Sequence, residues 1–142
     1  MALAMQGPLR DVYFGFDLGR LLVRIDCEGP ARSALSNFEV CRIGFIEPAG
    51  REVRIEQPAR AGQAVRLVQR GETVAAAGLE VGVDRIAEAA IPFDLLGVAV
   101  GEPVQFFVEL LQAGQSRDRA PRQGTISLVR PSPDFERIMW DV

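Results

Sequence analysis

Apolar residues recur at every second position through most of this 142-residue chain, and that period of two limits the fold more than any motif does. A helix needs apolar residues every three or four positions; alternation puts them all on one face of a strand. Asp11 to Asp17 (DVYFGFD) sets Val12, Phe14 and Phe16 against Tyr13, Gly15 and Asp17, and Leu21 to Cys27 (LLVRIDC) sets Leu21, Val23, Ile25 and Cys27 against Leu22, Arg24 and Asp26. The short Asp17-Leu18-Gly19-Arg20 connection predicts a hairpin between them. Val104 to Leu111 (VQFFVELL) is apolar on both faces, as a central strand is.

Other segments fill in the pattern. Glu28 to Ser36 reads as a loop, and Asn37 to Ile46 shifts its apolar phase between Val40 and Cys41, which predicts a bulge there. Arg51 to Gln57 points Val53 and Ile55 inward. Weaker strands follow at Ala64 to Gln69, Thr73 to Ala77 and Leu79 to Val83. Arg85 to Ile91 suits either a helix or a strand. Pro92 to Gly97 predicts one helical turn, opened by Pro and closed by Gly. Gln115 to Gly124 is polar and Arg-rich and reads as a solvated hairpin loop, and Thr125 to Val129 closes the set. About eight or nine short strands at 8–12-residue spacing predict an all-β, two-sheet antiparallel sandwich with less than about 15% helix. Residues 1–8 are expected to be a flexible N-terminus, with one β-sandwich domain over 9–142.

Composition removes whole classes of chemistry. The chain has no His, and all 16 of its basic residues are Arg. Imidazole bases, Ser-His and Cys-His nucleophiles, His-ligated metals, Schiff-base lysines and P-loop lysines are therefore absent. A net charge of −3 argues against a nucleic-acid or membrane-surface partner. The first residues lack the charged and apolar regions of a signal peptide, and no apolar run approaches the roughly 20 residues of a membrane span, so a cytoplasmic protein without a cofactor is expected.

Cys27 and Cys41 each sit in an apolar alternation and should be buried free thiols. If their strands were hairpin partners, Cys27 would face Asn37 and Cys41 would face Val23. That offset of about 13 Å exceeds the 7 Å limit for a disulfide. Asp17 and Asp26 are the candidate acid pair, but a hairpin turning at Gly19 holds them about 17 Å apart, which suits solvated strand charges better than glycoside chemistry. Only Trp140 and Tyr13 combine a flat ring with a polar tip. Arg119 and Arg122 could grip an anion or a sugar. These four residues are the candidate sugar-binding set; Trp140, in the apolar Phe135 to Trp140 stretch, also suits a core or interface position.

Asp11 to Leu18 (DVYFGFDL), Leu22 to Asp26, Ile91 to Gly97 (IPFDLLG) and Gly101 to Glu109, with the closing Pro121 to Ile126 and Phe135 to Trp140, together resemble the C-terminal β-sandwich region of bacterial family-57 glycoside hydrolases, the α-amylase and glucan-processing group. The fold is also similar to family-9 carbohydrate-binding modules and DOMON domains. Catalysis in that family belongs to a (β/α) barrel of about 250 residues or more, too large for this chain. The resemblance thus implies a non-catalytic accessory domain whose partner is the catalytic barrel of the same polypeptide, with weak or no affinity for α-glucan alone. A purely structural module and a stand-alone small-molecule binder are the alternatives.

Overall fold

The computed structural model describes residues 7–133. In chain order its elements are β1 (Leu9–Phe16), β2 (Arg20–Cys27), α1 (Ala31–Ala34), β3 (Val40–Glu47), β4 (Arg51–Glu56), β5 (Ala64–Gln69), β6 (Glu72–Val74), β7 (Glu80–Val83), β8 (Ala87–Pro92), α2 (Phe93–Leu96), β9 (Pro103–Gln112), β10 (Gln115–Ala120) and β11 (Ile126–Val129). The smaller sheet has the order β1-β2-β8-β7, and the larger runs β10-β9-β3-β4-β5-β6 with β11 also on β9. All pairings are antiparallel. The chain is an all-β sandwich, 6% helical.

Alternation decides which side chains fill the space between the sheets. Leu21, Val23 and Ile25 of β2 and Ala87, Ala89 and Ile91 of β8 meet Cys41, Ile43 and Phe45 of β3, Val53 and Ile55 of β4, and Val104, Phe106, Val108 and Leu110 of β9 in one buried cluster. Each large aliphatic side chain buried there contributes about 1.5–3 kcal/mol. The two short helices close opposite ends. Ala31 and Leu35 plug the Cys27 end, while Phe93, Leu96 and Val98 plug the Arg20 end. α2 starts after Pro92 and stops at Gly97, whose left-handed φ of 71° suits glycine.

At one edge, the Asp118 carboxylate accepts the Leu9 N–H at 2.8 Å and so ties β10 to β1 across the gap between the sheets. Two hairpin turns share one geometry, since Ala113-Gly114 and Arg70-Gly71 both have positive φ at each position, as two-residue type I′ connections require.

Several sequence expectations are corrected. Arg85 to Ile91 resolves to a strand, β8, because Ala87, Ala89 and Ile91 fill alternate inward positions beside β2. Gln115 to Gly124 is no solvated loop: β10 occupies its first six residues, paired to β9 despite its polarity. Its edge position leaves one flank in water, which tolerates Arg and Asp. The Glu28 to Ser36 loop contains α1. No bulge separates Val40 from Cys41; the register runs unbroken from Val40 to Phe45 and shifts only before Glu47. β3 is central in its sheet and buries residues on both faces, so its pattern imitates a phase slip.

Phe107 is a buried side chain on the outer face of the larger sheet. Its ring lies over Gly44, the cross-strand partner, with Arg42 at 5.3 Å and Arg119 at 4.4 Å from its centroid. A Cβ on Gly44 would stand 2.6 Å from Phe107 Cζ and 3.0 Å from Arg42 Nη1, so what demands glycine here is space and not φ. Gly44→Ala is expected to destabilise by about 1–3 kcal/mol through overpacking. In a Phe107→Ala background the same change should become neutral or favourable, since Ala loses less entropy than Gly in a strand. Urea midpoints of the four proteins measure this coupling, and equal costs in both backgrounds would contradict it.

Candidate functional site

The outer face of the smaller sheet carries a shallow concavity. The odd-numbered residues of β2 and β8 point into the core, so the even-numbered ones point outward, and the register aligns them in two cross-strand rows. One row runs Tyr13, Arg24, Glu88, Gly82; the next runs Gly15, Leu22, Ala90, Glu80. They line a shallow groove of about 560 Å³. Tyr13 is 52% and Leu22 37% exposed. Gly15 and Gly82 sit inside strands without positive φ, and a Cβ on either would meet nothing within 4 Å. Neither conformation nor packing demands glycine there, and the lost side chains leave a flat floor open to close approach.

Polar groups stand beside that floor. The Arg24 guanidinium is held by Asp26 through two bonds of 2.7 and 3.1 Å and lies 5.5 Å from the Tyr13 ring centroid. Hydrogen bonding to Asp26 raises the Arg24 pKa further. Among the described residues Glu80 reaches a cation only at 4.0 Å, on Arg20, which already donates to Asp17. The groove thus holds a ring with a polar tip, a small apolar floor and two carboxylates with acceptor capacity to spare.

The structure scatters the four residues of the sequence-based set. Tyr13 lies in the groove. Arg119 lies on the far face of the sandwich, over Phe107, where it donates to the carbonyls of Pro121 and Gly124 and so pins the loop joining β10 to β11. Arg122 is exposed on that loop, beside a small cleft with Ser116, Arg117 and Asp118. Trp140 lies outside the described residues. Sequence reasoning missed Leu22, Glu80, Gly82, Glu88 and Ala90 as neighbours of Tyr13. The signal available was two strand glycines on the polar face, but joining them needed the β2–β8 pairing.

Asp17 and Asp26 are used locally. Asp17 accepts the N–H groups of Gly19 and Arg20 and the Arg20 guanidinium, closing the hairpin turn. These bonds outweigh desolvation and hold its carboxyl below the usual range. Asp26 faces Asp11 across the hairpin, at the far end from Asp17. Among the described residues no group of three or more Cys, Asp or Glu could hold a metal ion, and no helix is long and apolar enough to cross a membrane.

Both thiols are free, but only Cys41 is buried as expected, Cys27 being half-buried at the end of its strand, and the hairpin pairing assumed for them does not exist. Cys27 ends β2 in the smaller sheet, where it pairs with Leu9; Cys41 lies in the larger sheet between Ile55 and Leu110. The helix α1 intervenes, and the chain crosses from one sheet to the other. Burial, with the charges of Asp26 and Asp118 adding, pushes the Cys27 thiol up to about 11. Complete burial pushes Cys41 up to about 12.

No protein-family model, curated protein or solved structure matches this chain.

Proposed function

We propose that this chain is a non-catalytic β-sandwich binding module that presents the groove of its smaller sheet to a carbohydrate, as an accessory domain of an α-glucan-acting glycoside hydrolase whose catalytic barrel is its partner. The observation that carries the carbohydrate reading is the floor of Gly15, Leu22, Ala90 and Gly82 flanked by Tyr13, Arg24, Glu80 and Glu88. A pyranose has an apolar face and a rim of hydroxyls. It matches a flat apolar floor edged by a ring and by hydrogen-bonding side chains. The glucan and the barrel come from the resemblance to family-57 enzymes. Both Asp17 and Asp26 are held in local bonds, which supports a binding role over a hydrolytic one.

One ring and an open groove bury little of a ligand, so the expected affinity for maltoheptaose is millimolar, about 4 kcal/mol. Titration followed by amide shifts should show saturable movement at Tyr13, Leu22 and Ala90. Tyr13→Ala should weaken binding about fivefold, in keeping with the loss of about 1 kcal/mol of ring contact. Shifts confined to other faces, or none, would overturn the reading.

A further inference from the structure

Given the carbohydrate-binding role, on which this inference rests, the groove's register and charge distribution specify which sugar chains fit it. Small and apolar residues form a lane that crosses the strands: Gly15 on β1, the larger, part-exposed Leu22 on β2, Ala90 on β8 and then Gly82 on β7, one row over. Four strands at about 4.8 Å spacing make that lane about 14 Å long, the length of a short oligosaccharide and more than one sugar ring needs. Arg24 and Glu88 flank the lane on one side, and Glu80 flanks its far end on the other. Hydroxyls project from both edges of a pyranose, so acceptors on both sides of the lane fit a chain laid along it.

Charge then selects among such chains. The charged residues lining the groove are Arg24, Glu80 and Glu88. Arg24 is committed to Asp26, and the nearby Arg20 to Asp17. A uronate or sulfate arriving in the lane meets two lining carboxylates, and the guanidinium that lines the groove beside them, that of Arg24, is already held by Asp26. We infer that the groove takes an uncharged oligosaccharide lying across the strands and discriminates against anionic chains through Glu80 and Glu88.

The test titrates the isotope-labelled full chain with maltoheptaose and with an oligogalacturonate of equal length, read at the amides of Gly15 and Gly82. The neutral chain should shift both, with the anionic chain at least about tenfold weaker. The double variant Glu80→Gln/Glu88→Gln should narrow that gap to about threefold, and raising the salt on the unsubstituted protein should narrow it too, without any substitution. Equal affinity for both chains, or a gap that neither salt nor the double variant narrows, would overturn the inference while leaving the binding role intact. If neither chain moves the two amides, the binding role falls and the inference with it. Concentration-dependent dimerisation that broadens these amides before ligand is added would assign the face to a second copy and overturn both.

Discussion

Replacing Phe106 by alanine is expected to cost about 3–5 kcal/mol, as large a loss as truncating a fully buried ring produces. Phe106 is fully buried in the middle of β9, the strand that joins β3 to both β10 and β11. Its ring meets Phe45 at 6.1 Å and, edge to face, Phe14 at 6.4 Å, so it links the larger sheet to the edge strand of the smaller. Removing it leaves a cavity walled by two pleated sheets, which cannot collapse without breaking ladder bonds. For a chain of this size the melting temperature should fall by about 10–20 °C. Phe14→Ala, at a position 42% exposed, should cost less than half as much. Thermal denaturation of both variants measures the difference, and equal costs would show that Phe106 is no keystone of the packing.

Alkali should unfold this protein through its cysteines. Most proteins carry lysines that titrate near pH 10 and blur the alkaline limb, but this chain has no Lys and no His. Between about pH 9 and 12 the thiols of Cys27 and Cys41 are therefore the groups to follow. Both thiols have pKa values raised in the folded state, to about 11 and about 12. The unfolded chain therefore loses protons first. The stability that buried neutral thiols contribute is complete below about pH 9, where unfolded thiols ionise, and falls as pH rises toward 11 and 12. For the fully buried Cys41 the slope is about 1.4 kcal/mol per pH unit.

Denaturation midpoints should stay level from about pH 8 to 9 and then drop steeply. Cys41→Val should flatten much of that drop. In the native state at pH 8 neither thiol should react with a thiol reagent, and both should react on unfolding. Rapid native labelling of Cys41, or an alkaline limb unchanged by Cys41→Val, would contradict the burial argument.

How much of this was legible in the sequence depended on the range of the interaction. The β1–β2 hairpin was readable because alternation and a Gly-containing turn act over a few residues, and so was α2, where Pro92 and Gly97 mark both ends. β8 was not, because Ala, Glu and Arg suit a helix as well as a strand, and only its place beside β2 broke the tie. The Arg-rich stretch that became β10 hid for the same reason: its strand character comes from the unpaired edge of β9. Cys27 and Cys41 looked like hairpin neighbours because they are close in sequence, whereas the chain changes sheets between them.

The candidate groove divides along the same line. Local order placed Tyr13 and Gly15 on the outward face of one strand and Leu22 and Arg24 on that of its partner, since side chains alternate with a period of two whatever the rest of the chain does. Bringing Glu88 and Ala90, and then Glu80 and Gly82, alongside them required two more strands from much later in the chain. Which strand neighbours which is decided by how the buried faces of all of them fill one shared core. That is a property of the whole packed molecule, so the sequence by itself determined the faces and the tertiary structure alone decided the site.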